Sequence, residues 1–273
     1  MGRTLPFAKM HGAGNDFVML DGRHLQEAGV VLDRRAIARL CHRQKGIGAD
    51  GLIIVAPDDD LAFGMIYFNS DGGEADMCGN GARCTFAFAR AAGLCGDAAE
   101  FSTAVGRLQG AVAGNDVTVS LPPPRNIKLD TAPLAETPFA RVHHADTGVP
   151  HLVIPVDQLE AVDVPRWGPI LRNDAAFAPA GANVNWVQRR DDGLWLIRTY
   201  ERGVEAETLA CGTGASAAAL ILARLGEAAP PVTLLTRGGD RLTIGVEDPA
   251  GSPRLTLTGP AVTAFRGEVD IDD

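Results

Sequence analysis

Two cysteines stand in copies of one motif, Cys78-Gly79-Asn80-Gly81-Ala82 and Cys211-Gly212-Thr213-Gly214-Ala215, 133 positions apart. Each precedes an Ala-rich segment that reads as a helix. Unpaired amides and the positive end of the helix dipole gather at such a start. A thiol there has its pKa lowered, typically to about 3.5–7.5 from about 8.5. The amides of Gly79, Asn80, Gly81 and of Gly212, Thr213, Gly214 also make a ready anion site. If the two starts face each other, a carboxylate fits between the helices with its α-carbon between the sulfurs. One thiolate then removes the α-proton while the opposite thiol protonates the other face. The two dipoles stabilise the enediolate formed between those steps. The chemistry these residues suit is inversion at a carbon acid.

The elements that must hold the thiols repeat as well. Gly48 and Gly181, Gly93 and Gly226, and Thr103 and Thr236 keep the offset of 133, and Gly14 and Gly148 lie 134 apart. The chain reads as one half-molecule written twice, with residues 1–125 and 126–260 as the two halves. Ala261-Val262-Thr263-Ala264-Phe265 reads as one more strand, and residues 261–273 are expected to return to the first half. Leu121-Pro122-Pro123-Pro124 cannot continue a strand or helix and is the expected linker. Gly64–Phe68 and Leu194–Tyr200 are β-branched and aromatic runs bounded by turn residues. Val112 with Val117–Val119, and Leu242–Ile244 with Leu255–Leu257, suggest hairpins. Residues 81–92 and 214–225 are apolar nearly all round, which marks buried helices. Asn80 and Thr213 are the expected N-caps, and Gly93 and Gly226 suit the position after the C-cap. The expected fold class is α+β: two pseudo-symmetric domains, each a curved, mostly antiparallel sheet around a buried central helix. The active site is expected in the cleft between them.

At 273 residues, with 46% hydrophobic and 22% charged side chains, the composition is that of a soluble globular protein. A net charge of −9 argues against nucleic acid or an anionic membrane as partner. The first residues lack the apolar core of a signal peptide. The longest uncharged stretch, between Glu207 and Arg224, is too short to span a bilayer. Five cysteines in a long chain do not suggest a disulfide framework, and a cytoplasmic location is expected. Cys41, Cys84 and Cys95 read as buried apolar side chains. No zinc-type spacing is present, and Gly12-Ala13-Gly14 is not a dinucleotide fingerprint. Lys9, Lys45 and Lys128 stand in no context that suggests a Schiff base. The expectation is therefore an enzyme without metal or cofactor.

These motifs resemble the diaminopimelate epimerases, cofactor-independent enzymes of lysine synthesis. The resemblance runs through Lys9-Met10-His11-Gly12-Ala13-Gly14-Asn15-Asp16-Phe17, Phe68–Gly72, Met77–Cys84, Pro150-His151, Gly181–Asn185, Tyr200-Glu201-Arg202-Gly203 and Glu207–Ala215. It implies that Cys78 and Cys211 are the acid/base pair interconverting LL- and meso-diaminopimelate. Gly79, Asn80, Gly212 and Thr213 would hold the reacting carboxylate through their amides. Glu201 would receive the reacting ammonium, and His151 would support the acid/base pair. Asn15, Asn69, Asn183 and Arg202 would read the far amino-acid end of the substrate, where a bidentate Arg suits a carboxylate. Val149 and Gly51 depart from one common form of the pattern, which has Asn and Gln there. The expected partners are an amino-acid substrate and a second copy of the chain in a homodimer. Two alternatives remain: a proline, hydroxyproline or histidine racemase on the same scaffold, and a redox switch built on the two thiols. The first is disfavoured by Asn80, where proline-type enzymes tend to carry His.

Overall fold

A computed structural model describes residues 3–75, 77–132 and 135–271. Asp272 and Asp273, the end of the expected returning segment, lie outside the described residues. The chain divides into two units, Met1–Val119 with Pro260–Asp273, and Ser120–Gly259.

In the first unit, β1 (Arg3–Gly12) turns into the antiparallel β2 (Asn15–Asp21). Two helices, α1 (Gly22–Ala28) and α2 (Arg34–Cys41), carry the chain across so that β3 (Gly51–Ala56) lies parallel to β2. β4 (Gly64–Asn69) runs antiparallel to β3. The helix α3 (Gly79–Ala91) then leads to β5 (Ala98–Thr103), which meets β4 in parallel. Antiparallel turns follow into β6 (Gly106–Ala113) and β7 (Asp116–Ser120).

The second unit repeats this order. β8 (Arg125–Lys128) flanks β9 (His143–Asp146), which turns into the antiparallel β10 (Pro150–Pro155). A crossover containing α4 (Val164–Arg172) sets β11 (Asn183–Arg189) parallel to β10, and β12 (Trp195–Glu201) is antiparallel to β11. The short β13 (Ala206–Thr208) pairs with β12. After α5 (Gly212–Arg224), β14 (Val232–Leu235) lies parallel to β12, with β15 (Arg241–Glu247) and β16 (Arg254–Pro260) antiparallel beyond it. The last strand, β17 (Val262–Ile271), belongs to the first unit and runs antiparallel along β1.

The hydrophobic pattern explains these elements. On β15 and β16, Leu242, Ile244, Val246, Leu255 and Leu257 are buried, with partly exposed Thr243, Thr256 and Thr258 between them. That alternation fits sheets with one face turned to a core. The core helix in each unit is α3 or α5. Residues 212–222 of α5 are all buried, as expected for a run of Ala, Leu and Ile. α3 packs against β1, β2, β3, β4 and β6, and α5 against β9, β10, β11, β14 and β15. A helix can touch strands so far apart in pairing order only when the sheet curls around it.

Both core helices end alike. Gly93 (φ 72°) and Gly226 (φ 71°) take the left-handed conformation just after the last turn. Leu94 N–H reaches back to Ala89 O at 2.9 Å, and Glu227 N–H to Leu222 O at 3.0 Å. This six-to-one closure needs a residue without a Cβ penalty at positive φ.

Three helices go beyond the expectation of one helix per half. Each starts at an aspartate: Asp21 accepts from Arg23 N–H, Asp33 from Ala36 N–H and Asp163 from Arg166 N–H. No helix among the described residues is long and apolar enough to cross a membrane.

Candidate functional site

Each core helix begins one residue after its cysteine, so Cys78 and Cys211 are themselves the N-caps. This corrects the expectation that Asn80 and Thr213 would cap. Both cysteines have extended backbones, with φ −143° and −124°, which is the conformation a cap requires. The Cys78 sulfur accepts from Gly81 N–H at 3.3 Å, as a Ser or Asp oxygen would. The first intrahelical bonds are Ala82 N–H to Cys78 O at 2.8 Å and Ala215 N–H to Cys211 O at 2.9 Å. The three preceding amides in each helix therefore have no carbonyl of an earlier turn to bond. Asn80 and Thr213 sit inside the first turn, where their side chains cross-link to neighbouring strands.

In the first unit, three of the expected residues come together. Asn80 Nδ2 donates to Asn15 Oδ1 at 3.5 Å, and Cys78 Sγ lies 3.4 Å from that same oxygen. The wholly buried Arg83 donates to Asn80 Oδ1 at 2.9 Å and to Gly79 O at 3.2 Å. Arg83 thus fixes which way the Asn80 amide points. Asn15 Nδ2 donates to Asp50 Oδ2 at 2.8 Å, and Asp50 is held by Arg43 at 2.6 Å. Beyond it, Asp16 is paired to Arg43 and Lys9. Burial would raise the Asp16 pKa, but these two cations keep it well below the usual carboxylate range. Asn69 does not join this cluster through any of these bonds; its Oδ1 accepts from Tyr67 Oη at 3.2 Å.

In the second unit, Cys211 Sγ lies 3.4 Å from Thr213 Oγ1, which is 3.0 Å from His151 Nε2. Asn185 Nδ2 is 3.2 Å from His151 Nδ1. Thr147 Oγ1 donates to Thr213 O at 2.8 Å and holds the first turn of α5 to the β9–β10 turn. Asn183 Oδ1 accepts from Arg202 N–H at 2.8 Å, and the Arg202 guanidinium donates to Ala180 O at 3.3 Å. Glu201 ends β12 opposite Ala206, next to Arg202.

Several of these residues were not singled out from the sequence: Arg83, Asp50, Tyr67, Thr147 and Asn185. One signal for Asn185 was available. It stands two residues after Asn183 on β11, so both lie on the same face of the sheet. Cys41 and Cys84 are buried as expected, and burial pushes them up to about 11 and about 12, far from reactive. Cys95 is only partly buried, which corrects the expectation for it. No group of three or more His, Cys, Asp or Glu among the described residues could hold a metal ion.

The family model for diaminopimelate epimerase matches residues 7–126 and 144–264. The chain belongs to the diaminopimelate epimerase family. A diaminopimelate epimerase from Gemmatimonas aurantiaca is 41% identical over 278 aligned positions, covering 97% of this chain and 99% of the relative. One from Aquifex aeolicus is 39% identical, covering 97% and 98%. Among solved structures, a hydroxyproline epimerase from Agrobacterium vitis superposes with a TM-score of 0.71 at 19% identity, covering 99% of this chain and 94% of that one. A phenazine biosynthesis protein of the PhzF family from Bacillus anthracis gives 0.75 at 16%, covering 98% and 100%. At those identities the likeness is one of fold, and it supports the duplicated α+β architecture.

Within this diaminopimelate epimerase family member, Gly51 has a structural reason. A Cβ there would meet Phe68 O at 2.5 Å and the Tyr67 ring at 2.7 Å. The chain thus has Gly51 packed under Tyr67, whose hydroxyl reaches Asn69. Val149 accepts from Thr147 N–H through its backbone at 3.3 Å, a bond indifferent to its side chain.

His151 links the site to acid stability. Burial, then the like charges of His144 and Arg202, push it down to about 3 from 6.5. Between those values the unfolded chain binds a proton at this side chain and the folded chain does not. Stability therefore rises with pH through this window and is lost as pH falls below about 6.5. The contribution is up to about 1.4 kcal/mol per pH unit. Urea denaturation between about pH 5 and 7 should show a shallower slope for His151→Gln than for the wild type. An unchanged slope would mean that His151 accepts its proton within the fold.

Proposed function

We propose that this chain interconverts LL- and meso-diaminopimelate without a cofactor, with Cys78 and Cys211 as the acid/base pair. The observation that carries the reading is that each cysteine caps a buried helix of its own, at the same place in two copies of one fold. The reading requires the two helix starts to face one substrate, whose α-carboxylate then accepts from the first-turn amides of Gly79, Asn80, Gly212 and Thr213. The thiolate takes the α-proton and becomes a thiol. The electron pair moves into the carboxylate as an enediolate, opposite the helix dipoles. The other thiol then gives its proton to the far face and becomes the thiolate, so the sulfurs exchange protonation states at each turnover.

Glu201 receives the reacting ammonium and His151 supports the Cys211 side through Thr213. Asn15, Asn69, Asn183 and Arg202 read the far zwitterion. The product is a precursor for lysine and peptidoglycan synthesis. The same reading makes the protein a cytoplasmic homodimer, supported by the exposed apolar side chains Val262 and Phe265 on β17.

The test is to incubate the reduced protein with LL-diaminopimelate and follow the meso isomer by chiral chromatography. Faster racemisation of proline or hydroxyproline would overturn the substrate while leaving the two-thiol chemistry. Absence of α-hydrogen exchange in deuterated water with any of them would overturn the chemistry.

A further inference from the structure

The hydrogen-bond partners of the two sulfurs differ in kind, and the difference can be traced outward to residues whose polarity is fixed. Asn185 is the starting point on the Cys211 side. Its Nδ2 lies 2.8 Å from Leu152 O, a backbone carbonyl that only accepts, while Thr199 Oγ1 donates to its Oδ1 at 2.9 Å. Turning the amide over would set Oδ1 against the Leu152 carbonyl and lose that bond, whereas the Thr199 hydroxyl could serve either orientation, so Leu152 O decides. Nδ2 therefore faces His151 Nδ1 as a donor, and that nitrogen must be the unprotonated one. A neutral His151 then carries its proton on Nε2 and donates it to Thr213 Oγ1. With its oxygen accepting from His151, the Thr213 hydroxyl turns its own hydrogen toward Cys211 Sγ. The depressed pKa of His151 agrees with a neutral ring at physiological pH.

On the other side the chain of polarity runs the opposite way. Asp50 takes Asn15 Nδ2, and Asn80 Nδ2 donates to Asn15 Oδ1, so the carbonyl end of Asn15 faces Cys78. That oxygen has no hydrogen to give. It pairs with a protonated thiol and repels a thiolate. Gly81 N–H donates to the same sulfur and suits a thiol or a thiolate, so of these two contacts the Asn15 oxygen is the one that discriminates.

We infer that Asn185 is a positioning residue which, through the Nε2–H tautomer of His151 and the hydroxyl of Thr213, makes Cys211 the resting thiolate and leaves Cys78 as the resting thiol. The inference rests on the proposal that these two sulfurs are the acid/base pair, and it adds the direction in which the substrate-free site is poised. Asn185 acts by fixing the polarity of a hydrogen-bond chain.

The test uses two readouts on the substrate-free, reduced protein, so neither depends on turnover. The first is the tautomer of His151, read from ring nitrogen shifts of protein labelled with 15N-histidine and assigned by loss of the signal in His151→Gln. A protonated Nε2 and bare Nδ1 are expected; a protonated Nδ1 overturns the inference. The second is the pH dependence of iodoacetamide alkylation at each cysteine, resolved by peptide mass spectrometry. The Cys211 inflection should lie about one pH unit below that of Cys78, which corresponds to a tenfold difference in thiolate population. His151 is the ionisable group in the hydrogen-bond chain to Cys211, with His144 and Arg202 acting on it, and Glu201 stands at the end of β12. On the other side Cys84 interacts with Cys78, while Arg83 and Asp50 hold Asn80 and Asn15. Cys78 is the more exposed sulfur, so control by access alone would label it first.

Asn185→Asp keeps the shape and reverses the polarity at His151. The Nδ1–H tautomer should appear, Nε2 should capture the Thr213 hydroxyl, and the Cys211 inflection should rise to that of Cys78 or above. If the variant fails to fold, the wild-type tautomer and inflections decide alone. A wild type with Cys78 as the more acidic thiol overturns the inference. Alkylation in the expected order without epimerisation would sustain it while removing the proposed reaction.

Discussion

Replacing Cys78 or Cys211 by Ala is expected to reduce interconversion of LL- and meso-diaminopimelate by about 10²–10⁴-fold, the usual worth of a positioned acid or base. The loss should appear in both directions, since each turnover needs one sulfur to remove a proton and the other to deliver one. Proton exchange should divide between the variants. A chain with Cys78→Ala keeps the Cys211 thiolate, which can still remove and return the α-hydrogen of the epimer presented to it. That epimer should exchange with deuterated water without inverting, while the other should not exchange. Cys211→Ala should show the complementary preference. The Cys78 loss cannot be ascribed to a missing cap alone, because Cys78→Ser restores a good N-cap and should still lack the acid/base function. Near-full epimerase activity in either Ser variant would end the two-thiol account. Exchange of both epimers by a single-cysteine variant would show that one group reaches both faces.

The parts of this architecture legible in the sequence are those written twice. Gly14 and Gly148, like Gly48 and Gly181, all have positive φ, so each repeated glycine marks a backbone conformation required in both copies. The apolar runs after the cysteines become the two core helices because almost all of their side chains are apolar, with Arg90 of α3 reaching the surface at the last turn. The caps were misplaced by two residues for a specific reason. Asn80 and Thr213 are good capping types, and only the tertiary structure shows their side chains committed to Asn15 and His151 instead. α1, α2 and α4 are not legible in the sequence because they are only seven to nine residues long, too short for a period to stand out, although α2 and α4 do turn one apolar face inward. The supporting residues were hidden by long sequence separation. Asn185 reaches His151 across 34 positions, and Arg83 reaches Pro260 across 177. Spacing along the chain carries no trace of such contacts. A buried Arg amid Ala and Phe was the one local anomaly that could have pointed to Arg83.

Arg202→Met is expected to weaken transition-state binding of diaminopimelate by about 2–5 kcal/mol, the usual loss when one partner is truncated from a charge pair that the bound substrate buries. The backbone at this position is independently fixed, because Arg202 N–H donates to Asn183 Oδ1 and Asn183 Nδ2 is in turn tied to Pro150 O at 3.2 Å. Removing the guanidinium therefore tests the side chain and leaves the loop anchored. Its planar fork can bond both oxygens of the far carboxylate at once, which a single ammonium cannot do. Arg202→Lys should accordingly recover only part of the loss. Both variants should be compared for kcat/KM on LL-diaminopimelate and for α-hydrogen exchange of L-lysine, which has the far ammonium but lacks the far carboxylate. If Arg202 reads that carboxylate, the diaminopimelate rate falls and the slow lysine exchange stays where it was. The discrimination between the two substrates then shrinks by the same factor. An equal fall for both substrates would move Arg202 from recognising the far end to supporting the reacting centre, where Glu201 stands beside it in the chain.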